Sequence, residues 1–299
     1  MVQTKLPNIT HSIGVDIGGT KMSAVLFDLE KNEIIADYQL ATPKDNLDNF
    51  LVMLWALIDP LIEKAKKEKF NVGRVGIGVA GVVDQPPPKN LEGKILDSPN
   101  LKIINNVSLG KIVFEKYGLP VVMDNDANCF LLAETKLGAV KNYASAVGVT
   151  LGTGIGGAFT VNHEIFHGVH GSAGEIGAMI VDVVEDVPHT LEEMYHNLTQ
   201  ANPELVAAEA YEGDELAGKV YEEVGRFIGL TLASMINIVD PEIIVIGGSV
   251  MKSSGLFMTE IKKNLKAEIL SPKLKKIKIV AGKVERAGAV GAALLSPSM

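Results

Sequence analysis

The sequence predicts an α/β protein with mixed sheets and an internally duplicated core. Three observations carry this expectation. Strand-like apolar runs are followed by helical patterns in both halves of the chain. A glycine-rich strand–turn–strand segment occurs near the start, "IGVDIGGTKMSAVLFD" (13–28), and again in the middle, "AVGVTLGTGIGGAFTVN" (146–162). Both copies run in the order apolar strand, glycines with a threonine, apolar strand, as a duplication would leave them. The chain also has 299 residues, enough for two domains, and 30 glycines, which call for many tight turns.

The elements follow in order. After the first hairpin, "NEIIADYQLATP" reads as a third strand. Residues 45–69 have helical periodicity, with Pro60 expected to break or kink the helix. "RVGIGVAGVVD" (74–84) reads as a buried strand ending in a loop, "DQPPPKNLEGK" as a surface loop, and the region near 107–117 as a helix. "LPVVMDNDANCFLLAETKLG" is a strand running into a helix, and the domain boundary is expected close to Leu119. That division makes residues 1–118 an N-terminal α/β lobe and 119–284 a C-terminal α/β lobe. Past the second hairpin, Asn162-His163-Glu164 is a turn and residues 163–200 read as irregular. Residues 203–239 are mostly helical, "EIIVIGGSV" is a strand ending in glycines, "FMTEIKKNLKAEIL" a helix and "KIKIVAGK" a strand. "RAGAVGAALL" closes the chain as a helix; docking of 285–299 on the first lobe is one option.

Composition narrows the function. The net charge of -8 disfavours nucleic-acid binding and favours solubility. A lone cysteine, Cys129, rules out an intramolecular disulfide framework and fits a reducing, cytoplasmic setting. No apolar run reaches the ~18 residues of a membrane span, and "MVQTKLPNITHS" lacks the apolar core of a signal peptide.

Gly152, Gly154 and Gly157 match G-x-G-x-x-G, but a strand follows them, whereas a dinucleotide loop opens a helix. The segment is therefore a hairpin, either a plain tight turn or one whose backbone N–H groups meet phosphate. The first copy carries Asp16 just before its glycines where the second has Thr150; one acid at such a turn suits magnesium, which keeps most of its water. "MDNDANC" puts Asp124, Asn125 and Asp126 at a strand end before a helix, where a carboxylate can accept a hydroxyl proton. The same residues are also favoured helix caps. "GSAGEIGAM" sets Glu175 among small residues, which admit a ligand; a solvated loop acid is the alternative. "VIGGSV" offers Gly247 and Gly248 either to an adenosine moiety or as a plain strand-to-helix turn. His163, His167 and His170 lie close in sequence but lack the i, i+4 helical pair of a metal site, so exposed loop histidines are expected.

The order "DIGGTK", "GVAGVVD", "SPNL", "NDANC", "GTGIGG", "AGEIG", "IGGS" resembles the ROK family of repressors and sugar kinases, over nearly the whole chain. The resemblance implies a two-lobed actin-like ATPase (ribonuclease H-like) fold. It also implies ATP-dependent, magnesium-assisted phosphorylation of a hexose hydroxyl in a cleft between the lobes. Asp16, Gly18, Gly19, Thr20 and Lys21 resemble the family's first phosphate loop, and Gly152, Thr153 and Gly154 its second. Gly247 and Gly248 resemble the adenosine turn, Asp126 the catalytic base, and Gly81, Asn100, Asn125 and Glu175 the sugar-contacting positions. In "HTLEEMYH", Glu192 matches a further sugar-binding glutamate, with Glu193 as the alternative.

The chain departs from the family at its zinc segment. Ala178 stands where a histidine is usual, and no cysteine follows Cys129, so no structural zinc site is expected. Glucose is the first choice of sugar because "NDAN" and "AGE" occur in glucokinase-like members; fructose, mannose and N-acetylhexosamines stay open, as does polyphosphate as the donor. The family further suggests a homodimer. Its repressors carry an N-terminal helix-turn-helix module, for which a first hairpin beginning near Ile13 leaves no room. A sugar-binding regulator without activity is the other alternative, which intact Asp16 and Asp126 disfavour.

Overall fold

The structure, a computed structural model, describes residues 9–84 and 92–296; residues 85–91 of the expected surface loop lie outside this range. The described residues form two compact units, one from 9–84, 92–138, 167–173 and 283–296, the other from 139–166 and 174–282.

In the first unit, β1 (His11–Ile17), β2 (Lys21–Asp28) and β3 (Glu33–Ala41) form an antiparallel meander. Helix α1 (Leu47–Glu68) leads to β4 (Val72–Val79), parallel to β1. A short antiparallel pair, β5 (Val82–Val83) and β6 (Ile95–Asp97), and helix α2 (Leu109–Tyr117) precede β7 (Val121–Asn125), which adds in parallel to β4 and runs straight into α3 (Asp126–Lys136). The core joins Ile13, Val15 and Ile17 of β1 and Ile77 and Val79 of β4 to Phe50, Leu54, Leu57 and Leu61 of α1. Central strands covered on both faces explain why these runs read as continuously apolar.

Of the break or kink expected at Pro60, the break does not occur: helix α1 runs on through it. Proline there forgoes one backbone bond and costs about 3 kcal/mol in a helix interior. Its neighbours Leu57, Ile58 and Leu61 are all fully buried, and burying each large aliphatic side chain returns about 1.5–3 kcal/mol. Tertiary packing on both sides of the proline outweighs its local penalty.

The second unit repeats the plan. Strands β8 (Ala146–Leu151), β9 (Ile155–Val161) and β10 (Glu164–Ile165) form the meander, joined at Asn162 and His163, both with positive φ, as expected. A separate hairpin of β11 (Ile180–Val184) and β12 (Val187–Thr190) leads into α4 (Leu191–Thr199), α5 (Pro203–Tyr211) and α6 (Glu215–Val239). Strand β13 (Ile243–Gly247) lies parallel to β8, and after α7 (Met258–Glu268), β14 (Lys278–Ala281) lies parallel to β13. The strand orders β3-β2-β1-β4-β7 and β10-β9-β8-β13-β14 are the same arrangement twice. The duplication expected from the glycine hairpins thus extends to whole sheets.

Residues 163–200, expected to be irregular, hold a hairpin and a helix. The hairpin turns at Glu185 and Asp186, both with positive φ, and its exposed Val183, Val184 and Val187 mask any polar–apolar alternation. Helix α4 begins with a capping box between Thr190 and Glu193, a T-x-x-E signal that was legible in the sequence.

The chain ends in α8 (Ala287–Leu294), which belongs to the first unit and packs on β1 and β4. Small residues on both sides allow this: a Cβ added to Gly76 of β4 would sit 1.7 Å from the Ala292 carbonyl oxygen. The units divide at Gly138, not near Leu119, because β7 is hydrogen-bonded to β4 and α3 packs against α8. Among the described residues, no helix is long and apolar enough to cross a membrane.

Candidate active site

In the first unit the parallel strands β1, β4 and β7 end side by side, with Asp16, Gly78 and Asp124 in one row of the sheet. Ligands of α/β sheets gather at such carboxyl ends. Asp126 opens α3 just beyond β7. Burial, and then the negative charge of Asp126, push the Asp16 carboxyl up to about 7. Two carboxylates held this way suit a divalent ion with oxygen preference.

The first glycine turn follows Asp16 at the end of β1. Gly18 N–H donates to Lys21 O at 3.1 Å, closing residues 18–21, and Thr20 and Lys21 are exposed. Gly19 approaches Asn100 so closely that an added Cβ would lie 2.9 Å from the Asn100 Cβ. Asn125 caps α3, its Oδ1 accepting from the N–H groups of Ala127 and Asn128, while its Nδ2 donates to Gly81 O at 3.2 Å. The capping alternative is therefore realised at Asn125, and one amide hydrogen of its side chain is left over for a ligand. The first unit thus gathers Asp16, Gly18, Gly19, Gly81, Asn100, Asn125 and Asp126 at one sheet end.

His167 departs from the exposed loop histidine expected. Its Nε2 lies 2.7 Å from Asp124 Oδ2, and Asp124 is 4% exposed. Asp124 Oδ1 accepts from Asn125 N–H and from Asn128 Nδ2, both at 2.8 Å. Three donors satisfy this buried acid and brace the junction that presents Asp126. Sequence reasoning missed the pair because its members are 43 positions apart. His163 and His170 stay exposed, and no cluster of three metal-ligating side chains occurs among the described residues.

In the second unit the turn at 152–154 is closed by Gly152 N–H donating to Gly154 O at 3.0 Å. Gly248 lies beside it, at φ 96°, where an added Cβ would meet the Leu151 carbonyl oxygen at 2.1 Å. Glycine is required there on both counts. Gly247 pairs with Thr150 across β13 and β8, so the second and third glycine segments are neighbours in one sheet. Helix α4 backs the turn: Tyr195 OH donates to Gly152 O at 2.9 Å, and His196 Nε2 bonds Thr153 O at 2.8 Å. Neither residue was singled out from the sequence.

Glu175 keeps an exposed face, yet its carboxyl is raised, first by partial burial and then by the charge of Glu192. Glu193 is occupied in the capping box, its carboxylate accepting from Thr190 N–H at 2.9 Å. Of the two glutamates, Glu192 is the one beside Glu175.

The family model described as the ROK family matches residues 12–193 and 189–298, almost the whole chain. The chain belongs to the ROK family. Among ROK relatives, an N-acetyl-D-glucosamine kinase of Photobacterium profundum is 30% identical over 311 residues, covering 95% of this chain and 98% of the relative. A xylose repressor of Caldicellulosiruptor bescii is 25% identical over 302 residues, covering 91% of this chain and 74% of the repressor. The ROK family glucokinase of Streptomyces griseus, solved in complex with glucose and AMPPNP, superposes with a TM-score of 0.79 at 27% identity, covering 97% of this chain and all of that one. The two mixed sheets are therefore those of ROK sugar kinases, and the relatives include both kinases and repressors.

Proposed function

We propose that this ROK protein is an ATP-dependent kinase that phosphorylates a hydroxyl of a hexose, with glucose the first candidate. The observation that carries the reading is the Asp16–Asp126 carboxylate pair beside a glycine turn, with Asn100 and Asn125 around it. A sugar regulator needs to recognise the sugar but has no use for two acids poised this way. The kinase relative matched over nearly its full length and the related glucokinase in complex with glucose and AMPPNP support the same reading.

In the proposed mechanism, Asp126 accepts the proton of the attacking hydroxyl. Asn100, Asn125, Glu175, Glu192 and the backbone at Gly81 orient the ring. The turns at 18–21 and 152–154 present backbone N–H groups to the triphosphate, and Gly247 and Gly248 leave room for adenosine. Magnesium, held near Asp16 partly through water, would neutralise charge on the transferring phosphoryl group. Positioning and charge stabilisation then supply most of the rate. The protein would work in the cytoplasm, as a homodimer.

A coupled assay of ADP release across glucose, fructose, mannose and N-acetylhexosamines tests the proposal, with Asp126→Asn as the control. Sugar-dependent ADP release that falls about 10²–10⁴-fold in Asp126→Asn is expected, the usual contribution of a positioned base. Hexose binding without any ADP release would instead favour the sugar-sensing role of the repressor relatives.

A further inference from the structure

Helix α4 carries three polar side chains that face different parts of the second unit's candidate site. Its start is locked by the Thr190–Glu193 capping box, and Leu191 and Tyr195 bury its inner face. The helix is therefore a fixed platform. From it, Tyr195 OH reaches Gly152 O and His196 Nε2 reaches Thr153 O. A carbonyl oxygen only accepts, so the His196 hydrogen is on Nε2.

These two bonds decide which way the glycine turn faces. In a planar trans peptide the N–H points opposite to the C=O. With the carbonyls of Gly152 and Thr153 drawn toward α4, the N–H groups of Thr153 and Gly154 are directed away from it. A carbonyl facing a phosphate would repel it, whereas successive N–H groups attract an anion. Rotation about glycine is otherwise easy, so the turn needs such a restraint. The same helix holds Glu192, whose Oε1 lies 3.9 Å from His196 Nε2 and whose charge raises the Glu175 carboxyl.

We propose that α4 couples the acceptor site to the donor site. Tyr195 and His196 are positioning residues that aim the 152–154 turn at the triphosphate, and His196 links that turn to the sugar-facing Glu192. This rests on the kinase reading above. Glu192 and Thr153 O are rival acceptors for the single Nε2 hydrogen of His196, so a hexose hydroxyl that donates to Glu192 occupies the rival and leaves the bond to Thr153 O undisturbed. Sugar binding then tightens triphosphate binding, and by linkage triphosphate tightens sugar binding by the same factor. Such coupling limits ATP hydrolysis when no sugar is present.

The test is calorimetric titration of the intact protein with AMPPNP and magnesium, with and without saturating glucose, or the hexose that the panel selects. Tyr195→Phe and His196→Ala are each expected to weaken AMPPNP binding about 2- to 10-fold, the worth of one hydrogen bond. Hexose affinity measured alone should stay within about twofold. The gain in AMPPNP affinity caused by hexose should vanish in His196→Ala and return in His196→Gln, which keeps an N–H donor on a side chain of similar reach. Tyr195→Phe keeps the buried ring and carries the test if His196→Ala fails to fold. Unchanged AMPPNP affinity with an unchanged hexose effect overturns the proposal, as does equal loss of both ligands. A wild-type protein that binds hexose but no AMPPNP overturns the kinase reading and this inference with it; a wild type that binds both, matched by its variants, overturns this inference alone.

Discussion

The two glycine hairpins descend from one plan yet are held in different ways. The first, between β1 and β2, carries an acid, Asp16, and crowds against Asn100. The second, between β8 and β9, has Thr150 in the matching place, and its carbonyls are bonded to Tyr195 and His196. Space around them differs as well. A Cβ on Gly19 would collide with Asn100, whereas the nearest atom to a Cβ on Gly152 is Ser249 Oγ at 3.9 Å. Duplication copied the strands and the turn, and in the proposed mechanism the two copies divide the work: charge in the first, oriented backbone donors in the second.

The sharpest way to break the comparison is at the acid. Asp16→Asn should cut phosphoryl transfer by about 10²-fold or more, as loss of a preorganised electrostatic group does. Thr150→Val, at the matching strand position, should cost less than about tenfold, because valine suits a strand equally well. Steady-state rates of both variants at saturating ATP would show it; equal losses would erase the proposed division of work.

A second pair of changes probes the space. Gly152→Ala has room in the unliganded turn, so the fold should hold while ATP binding weakens. Gly19→Ala must displace Asn100 and should weaken ATP and hexose together. Crowding of this kind costs about 1–3 kcal/mol, roughly 5- to 150-fold in affinity. Separate titrations of the two ligands decide between these outcomes.

A smaller effect is expected in the pH dependence of stability. The Glu175 carboxyl is raised, so the unfolded chain ionises it at a lower pH than the folded protein does. Its contribution to stability is complete below the ordinary glutamate range and is lost as pH rises through the raised value. Glu192→Gln removes the second cause of the rise and should flatten that loss. Urea midpoints measured from about pH 4 to about pH 8 would reveal it; an unchanged slope would separate the two glutamates.

The smallest expected effect is none. Ala178 and the lack of any cysteine beyond Cys129 predict that the purified protein holds no stoichiometric zinc. A zinc-selective chelator should leave the melting temperature unchanged, while activity still requires magnesium. One zinc per chain by elemental analysis, with the melting temperature falling on its removal, would refute this.

Much of this molecule was written locally. The hairpins at 13–28 and 146–162, the strand–helix junction at Asp126 and the glycines at 247 and 248 were legible because each is a short pattern of apolar runs, glycines and capping residues. Those patterns follow from backbone sterics and from burial of alternate faces, which act over a few residues. The sequence by itself therefore determined the duplicated α/β plan and most of the candidate site. Only the tertiary structure decided what depends on distant partners: that α1 continues through Pro60, that α8 joins the first unit, and that His167 meets Asp124. It likewise decided that Tyr195 and His196 grip the second glycine turn and that Glu192 is the glutamate whose charge acts on Glu175. Each of these is an energy that exists only once separated segments are packed together, and no local propensity encodes it.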